Sequence, residues 1–401
     1  MKADAIKKTG FGSLFSGLLP LFVFAHFGHH LLTALPVPLL PMIRSDFALD
    51  YTQSGLVISA FNLSYGIGQL PAGWLADRIG RRVLITMGIC GVAVAGLLVG
   101  LSQSYIMMII FLALMGLLGG GYHPSSPPAI SASVEPHNRG RALGLHLIGG
   151  SGSYFLSPLI AAGIAAFWGW RGSFITLAVP TMAFGIIFFW LLGRLADTKK
   201  VERSTAISDS KASTSSDSMS RLVVFIALTT FTGAIFFSTI SFIPLFVVDR
   251  FGVAKETAAA LISLIYFSGL WASPLGGYLS DRLGRVPMIL AICFTAGPLI
   301  YGLNLIPYAW GIPILLLVIG INTSMRMPVS ESYIVGQAPP QYLSTVLGIY
   351  YFSSMEGGGV LTPVMGYLID KLGFYPSFTI AGAALIVMTL VCSIWLWGSH
   401  D

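Results

Sequence analysis

Charge is scarce in this sequence. Asp, Glu, Lys and Arg make up 9% of the 401 residues, and hydrophobic residues make up 55%. A soluble domain carries roughly 25% charged residues, so the composition excludes a soluble globular protein and indicates that most of the chain faces lipid. Since one bilayer crossing takes about 20 apolar residues, the chain has room for about twelve spans and for no large soluble domain.

Cysteine and nucleotide-binding motifs are scarce too. Cys90, Cys293 and Cys392 fall inside apolar stretches without CxxC spacing, so we expect neither a disulfide framework nor a thiolate metal site. No Gly-rich loop of the Walker type occurs, and therefore ATP-driven pumping is unsupported. The first apolar stretch has full span length and no small-residue cleavage pattern after it, which predicts a first span rather than a signal peptide.

The apolar stretches divide into two sets of six. We predict spans at 15–43, 51–76, 83–102, 104–133, 139–167 and 172–195, then at 221–248, 256–280, 286–305, 309–337, 341–369 and 374–398. Residues 196–220 between the sets are too polar to cross a bilayer. The predicted domains are an N-terminal six-helix bundle (1–195), a cytoplasmic polar linker (196–220) and a C-terminal six-helix bundle (221–401).

A phrase after the second span recurs after the eighth. Gly73–Arg81 reads GWLADRIGR and Gly277–Arg285 reads GYLSDRLGR, a pair that differs only by like-for-like exchanges. Because each half holds an even number of spans, the halves are parallel repeats related by an axis along the membrane normal. Further matches recur at nearly constant spacing: Pro41 with Pro244, Asp46 with Asp249, Pro124 with Pro328, and Pro158 with Pro363.

Lys and Arg are distributed unevenly over the predicted turns. Most of the 22 Lys and Arg residues fall on one side, whereas the other side receives Arg44, Arg171, Arg250, Lys255 and Lys371. By the positive-inside rule the basic side is cytoplasmic. We therefore expect a multi-pass protein of the plasma (cytoplasmic or inner) membrane with both termini inside. The net charge of +6 fits this topology and anionic lipid headgroups, so no nucleic-acid partner is expected.

With its two copies of Gly-x-Leu-[Ala/Ser]-Asp-Arg-x-Gly-Arg and its six-plus-six layout, the chain resembles the major facilitator superfamily over essentially its whole length. The resemblance implies an all-α membrane protein of twelve transmembrane helices, arranged as two six-helix bundles with pseudo-two-fold symmetry. It also implies a cytoplasmic gate in which Asp77 contacts Arg81 and a helix end in the opposite bundle. The expected gate residues are Gly73, Asp77, Arg78, Arg81, Gly277, Asp281, Arg282 and Arg285. A role in topology and turn formation alone is the alternative.

Three charged residues fall inside predicted spans, namely Arg326 and Glu331 in the tenth and Glu356 in the eleventh. A buried ion costs at least about 2.5 kcal/mol and usually marks function. Arg326 and Glu331 lie about 140° apart around a helix, whereas Arg326 and Glu356 lie at similar depth. We predict that Arg326 and Glu356 form a pair, direct or separated by substrate. A structural ion pair inside the second bundle is the alternative.

Histidines gather in the spans of the first half. An imidazole has an ordinary pKa near 6.5 and can load and release a proton in the physiological range, so histidines deep in the membrane suit proton coupling. Hydrogen bonding to a neighbouring helix is the alternative for each ring. The candidates for substrate binding or proton coupling are His26, His29, His30, His123, His146, Arg326, Glu331 and Glu356.

The His-x-x-His-His of span one and Tyr122-His123-Pro124 of span four resemble, in part, the branch of the superfamily that includes fosmidomycin-resistance exporters. Those exporters carry Phe-His-Pro where this chain has Tyr122. The chain also lacks the span-four arginine of many drug:proton antiporters in the superfamily. The resemblance implies export of a small amphipathic or anionic compound.

We therefore predict a secondary active transporter that moves a small organic solute by alternating access, driven by a proton gradient and acting as a monomeric exporter without a cofactor or metal. An uncoupled facilitator or an importer of a small organic anion is the alternative. A membrane di-iron enzyme using the span-one histidines is a remote alternative, because the other histidines are too scattered to form further boxes. A sensor would need a signalling domain, for which the linker and tails leave no room. The pocket candidates are Asn62, Tyr65, Gln69, Tyr266 and Trp271.

Overall fold

The structure is a computed structural model that describes residues 17–135, 138–196, 216–339 and 342–397. Within these ranges the regular structure is helical, with no strand. Most of the predicted linker lies outside the described residues, as do His137, His400 and the lysines near the amino terminus. The predicted limits of the linker and of the two domains therefore stay predictions.

The first bundle contains six helices, two of which are interrupted. Helix α1 breaks before Pro36, because proline lacks the N–H that would continue the helix and restricts the residue before it. Helix α4 breaks at Gly120. The helices are α1 Leu19–Phe47, α2 Tyr51–Ile79, α3 Arg81–Leu101, α4 Tyr105–Ser133, and, within Arg139–Ala196, α5 at 139–168 and α6 at 170–196.

The second bundle repeats this arrangement. Prolines lie inside most of its helices, as they do in the first bundle, and in a membrane neighbouring helices can satisfy the backbone groups that a proline frees. The helices are α7 Ser216–Phe251, α8 Lys255–Leu283, α9 Arg285–Leu305, α10 Gly311–Gln337, α11 Leu343–Leu372 and α12 Phe374–Leu396.

Glycine turns recur at corresponding places in the two halves. Gly80 follows α2 with a φ of 92°, and Gly284 follows α8 with a φ of 90°. Gly169 separates α5 from α6 with a φ of 66°, and Gly373 separates α11 from α12 with a φ of 81°. Such positive φ values are readily available only to glycine. The predicted duplication is thus present in the backbone turns.

Nine segments of the described chain are long and apolar enough to cross a membrane. One of them, Arg139–Arg194, contains both α5 and α6. The two helices that complete the set of twelve, α2 and α11, pack against each other where the bundles meet. Several of their polar groups therefore face the other bundle rather than lipid. The predicted spans are confirmed to within a few residues at most ends.

The face of the membrane domain at which α1 and α7 begin is called the terminal face here, and the opposite face is the distal face. At the distal face, Arg44 of α1 forms an ion pair with Asp249 of α7 at 2.6 Å, and the Tyr51 hydroxyl donates to the same carboxylate at 2.6 Å. Asp370 of α11 accepts hydrogen bonds from the backbone N–H groups of Tyr51 and Thr52 at 2.9 and 2.8 Å. Together these five residues form the distal clasp.

Further contacts between α2 and α11 extend inward from the distal clasp. The Ser59 hydroxyl donates to the carbonyl oxygen of Gly359 at 2.6 Å. A Cβ placed on Gly55 would lie 2.8 Å from the backbone of Pro363, so the two helices are close enough that glycine is needed there. The two bundles are therefore joined from the distal face to the middle of α2.

Candidate substrate and coupling site

The five histidines predicted from the sequence come together in the first bundle. α1 supplies His26, His29 and His30 from adjacent turns, because residues three and four apart share a helix face. α4 adds His123 and α5 adds His146. Four of the rings are at most 5% exposed, and His123 is partly exposed. The centroid of the His26 ring lies 4.2 Å from that of His146, 4.8 Å from that of His30 and 5.3 Å from that of His123.

Hydrogen bonds determine the tautomers of two of these rings. His26 Nδ1–H donates to the carbonyl oxygen of His146 at 2.9 Å, so His26 Nε2 is an acceptor in the neutral ring. His30 Nε2 lies 3.1 Å from that atom and therefore donates to it. His30 Nδ1 is then an acceptor for the hydroxyl of Thr33, at 2.9 Å. Neutral imidazoles satisfy every hydrogen bond in this series.

His29 and His146 are held in the same way. His29 Nδ1–H donates to the carbonyl oxygen of Gly88 on α3, and its Nε2 accepts from the Tyr65 hydroxyl of α2, both at 2.9 Å. His146 Nδ1–H donates to the carbonyl oxygen of Phe22 at 3.1 Å. These bonds hold α1 against its neighbours. They match the alternative interpretation of the sequence, in which each ring hydrogen-bonds to a neighbouring helix.

His123 differs from the other four rings. No hydrogen bond from its ring is found within the described part of the chain, although its centroid lies 5.3 Å from that of His30. One ligating nitrogen from each of His26, His30 and His123 lies within 4.8 Å of the others. His123 thus supplies a free imidazole to the middle of the cluster.

Tyrosines enclose the cluster and connect it to the second bundle. The Tyr122 ring stacks on His29 with centroids 4.5 Å apart and planes 10° apart. Tyr154 of α5 packs on His30 at 4.6 Å and on Tyr266 of α8 at 5.0 Å. Of the predicted pocket residues, Tyr65 and Tyr266 therefore lie at or beside the cluster.

The other pocket candidates are placed less directly. The Asn62 side-chain amide donates to the carbonyl oxygen of Ile58 in its own helix at 2.9 Å. Trp271 is 45% exposed, and no contact between it and the histidines is found in the described chain. Gln69 is partly buried on α2, where it makes an interaction with the rest of the chain. The geometry leaves these three as predictions.

Arg326 of α10 is held against α7. One terminal nitrogen, Nη1, donates to the carbonyl oxygen of Thr229 at 2.9 Å. The guanidinium lies so close to Gly233 that a Cβ there would be 2.7 Å from Nη2. Its Nε is buried and has no hydrogen-bond partner among the described residues. Arg326 therefore retains an unused donor inside the second bundle.

Glu356 of α11 lies at the contact between the bundles. Its side chain is 8% exposed and its carboxylate occupies the space where a Cβ of Gly66, on α2, would stand. Its Oε1 is buried, and within the part of the chain that the structure describes it has no hydrogen-bond partner. A carboxylate from one bundle is thus in direct contact with the backbone of the other.

Arg326 and Glu356 do not pair directly in this structure. Their depths nevertheless agree, because Gly357 lies against Ala234, the residue after the glycine that Arg326 contacts. A pair separated by substrate stays the prediction. Glu331, the third intramembrane charge, lies beside Tyr351 of α11.

At the terminal face, residues of the repeated phrases interact within their own bundles. The Arg78 guanidinium lies 3.8 Å from the ring centroid of Trp74. Arg285 Nε donates to the Ser332 hydroxyl of α10 at 2.8 Å. The Asp77 side chain lies outside the described structure, so its predicted contact with the opposite bundle stays a prediction.

Sequence reasoning missed the distal clasp. Asp249 and Asp46 were matched as repeats, but their partners differ, since Asp46 pairs with Arg171 inside the first bundle whereas Asp249 pairs with Arg44 of the other bundle. The only signal was an aspartate near a helix end in each half. It did not indicate which helix would lie opposite.

The described part of the chain thus forms twelve helices in two repeated bundles, which are joined at one face and carry polar residues between them at mid-depth. This is the architecture of a membrane transporter. The chain belongs to the Major Facilitator Superfamily, whose sequence model matches residues 22–352 and, in a second match, 226–401. The predicted family, fold class and non-enzymatic class are confirmed.

Curated relatives and solved structures agree with this assignment. The chain is 27% identical over 384 residues to the multidrug resistance protein MdtG of Salmonella paratyphi C (strain RKS4594), covering 91% of each chain. Among solved structures, it resembles a bacterial homologue of the human lysosomal transporter Spinster in an inward-facing, occupied conformation, with a TM-score of 0.78, 17% identity and 97% of both chains covered. It also resembles a D-xylose-proton symporter, with a TM-score of 0.76, 16% identity, and 96% of this chain and 98% of that one covered. The protein is a multi-pass membrane transporter of a small molecule.

Proposed function

We propose that this chain is a proton-coupled exporter of a small organic compound, acting as a monomer by alternating access. The observation that supports it most is the position of Glu356. Its carboxylate is buried at the contact between the bundles, with Oε1 lacking a hydrogen-bond partner. Burying an unpaired charge costs several kcal/mol. The arrangement in which the bundles are in contact at the distal face therefore favours the neutral, protonated form of Glu356.

The terminal face is the cytoplasmic face in this proposal. Arg78 and Arg282 lie exposed at this face, and the positive-inside rule places such residues in the cytoplasm. The distal clasp then closes the outer side. In the arrangement described above, the outer side is therefore the closed one.

The two states of Glu356 give a sequence of steps for export. A proton taken up from outside neutralises Glu356 and favours closure of the distal contact with α2. Loss of that proton to the cytoplasm leaves a charged carboxylate against Gly66, which opposes this contact and favours opening toward the outside. If the deprotonated carrier opens only with solute bound, inward proton movement drives outward solute movement.

The substrate class follows from the groups around the space between the bundles. Arg326 offers a buried donor to a carboxylate, phosphate or phosphonate, and a guanidinium binds such groups well. In the first bundle, the partly exposed rings of His123 and Tyr154 provide aromatic surface. The relative MdtG carries the name of a multidrug resistance protein, which supports export of a small organic compound.

Transport in proteoliposomes with an imposed pH gradient tests the proposal. Purified protein would be reconstituted and a panel of small organic anions and amphipathic compounds assayed, with internal pH recorded by an enclosed dye. We expect solute movement to depend on the gradient and proton movement to depend on solute. Solute flux that ignores the gradient would instead identify an uncoupled facilitator, and solute and proton moving in the same direction would identify an importer.

A further inference from the structure

We propose that His26, His30 and His123 form a binding site for a late first-row divalent cation of the Zn²⁺, Co²⁺ or Ni²⁺ class. One ligating nitrogen from each ring lies within 4.8 Å of the others. The proposal concerns binding by the first bundle and does not depend on the direction or coupling of transport.

The spacing of the two α1 histidines suits a metal. His26 and His30 are four residues apart, so one helix face presents both rings. Their Nε2 atoms are 3.1 Å apart, and two ligands at about 2.0–2.1 Å from a tetrahedral Zn²⁺ are separated by about 3.4 Å. A shift of a few tenths of an ångström converts the hydrogen-bonded pair into a ligand pair.

The outer hydrogen bonds of these rings are those that metal sites use. A ligating histidine usually donates its other ring N–H to a carbonyl or similar acceptor, which orients the ring. His26 Nδ1–H already donates to the carbonyl oxygen of His146. His30 must exchange its tautomer, and the Thr33 hydroxyl at its Nδ1 can accept as readily as it donates.

His123 completes the set from another helix. Its ring is partly exposed and makes no hydrogen bond in the described chain, so binding a metal would break none there. Imidazole is a preferred ligand of Zn²⁺, Ni²⁺ and Cu²⁺. Three ligands leave a fourth position for water or for a donor atom of a solute.

Cobalt titration of the purified, tag-free full-length protein in detergent tests the site. We expect about one Co²⁺ per chain, with the intense visible absorption of a tetrahedral site, displaced by Zn²⁺ and not by Mg²⁺. Removing one ligand in His26→Ala or His123→Gln should weaken binding at least about 100-fold, since even the loss of an outer partner costs about 10–100-fold.

Matched variants separate ligation from folding. His146→Phe keeps the backbone carbonyl that orients His26 and a ring to stack on it but loses the bond to Phe22, so it should weaken Co²⁺ binding far less than the ligand variants do. Thr33→Val should weaken binding about tenfold. His123→Gln is not expected to unfold the protein, because the ring makes no hydrogen bond in the described chain. Absence of Co²⁺ binding, binding unchanged in His123→Gln, or equal loss in His146→Phe would overturn the proposal. None of these readouts depends on transport, so they leave the role of Glu356 unaffected.

Discussion

The first and second bundles share their backbone turns but differ in the middle of the membrane. In the first bundle, four of five histidines are tied to neighbouring groups by hydrogen bonds that neutral rings can satisfy. In the second, Arg326 and Glu356 each retain a buried atom without a partner. Duplication thus preserved the scaffold while each half acquired different chemistry. We infer that the second bundle responds to charge, and that the first offers a ligand the partly exposed imidazole of His123.

The largest effect is expected at Glu356. Glu356→Gln keeps the size of the side chain but cannot release a proton, so gradient-driven transport should fall by about tenfold or more. Exchange of unlabelled for labelled solute, which needs no net proton movement, should be affected less. Transport assays in proteoliposomes measure both.

Glu331→Gln is the matched control for that variant. Glu331 lies beside Tyr351 within its own bundle, so its replacement should change gradient-driven transport by less than about threefold. Equal losses of gradient-driven transport in Glu331→Gln and Glu356→Gln would show that Glu356 has no special role in coupling.

A side chain at Gly66 should have the next largest effect. Gly66→Leu places carbon atoms where the Glu356 carboxylate lies, so the distal contact cannot close and transport should be lost while membrane insertion is kept. Gly163→Leu is the control, since nothing lies within 4 Å of a Cβ at Gly163. Normal transport by Gly66→Leu would show that the contact is not part of the cycle.

Solutes of different charge test whether Arg326 gives the second bundle its response to charge. Arg326→Gln should raise the KM for anionic solutes by about tenfold, the scale of a lost charge-assisted hydrogen bond, and should leave neutral solutes nearly unaffected. Arg326→Lys retains the charge but lacks the forked donors of the guanidinium. Its KM for anionic solutes should lie between those of the wild type and Arg326→Gln. An equal rise for anionic and neutral solutes would point to a packing role.

The distal clasp should give the smallest effect. The Arg44 and Asp249 side chains are 26% and 30% exposed, and exposed ion pairs contribute about 1 kcal/mol or less. Arg44→Gln should therefore change the transport rate by no more than about fivefold, and high salt should reduce the difference. A complete loss would mean that the clasp, rather than Glu356, controls closure.

Much of the fold could be predicted because its signals are local. Apolar runs mark the spans, and the repeated nine-residue phrase marks the duplication. The histidine cluster was also accessible, since His26 and His30 share a helix face and His123 falls at similar depth.

The remaining features depend on how the bundles dock. The partner of Arg326 is a backbone carbonyl of α7, and the neighbour of Glu356 is a glycine on the opposite bundle. Neither a carbonyl nor a glycine contact leaves a recognisable pattern in one sequence. The distal clasp is hidden for the same reason, because its ion pair joins Arg44 to a helix of the other repeat.

The central claim is that protonation of Glu356 favours the distal contact, and a distance across the distal face tests it most directly. Spin labels at Gln103 and Trp310, both exposed, would be introduced into a variant lacking the three native cysteines and measured by pulsed electron resonance as pH varies. The account predicts short distances at low pH, a shift to longer distances as pH rises, and short distances at every pH in Glu356→Gln. A pH response in Glu356→Gln identical to that of the wild-type carboxyl would contradict it.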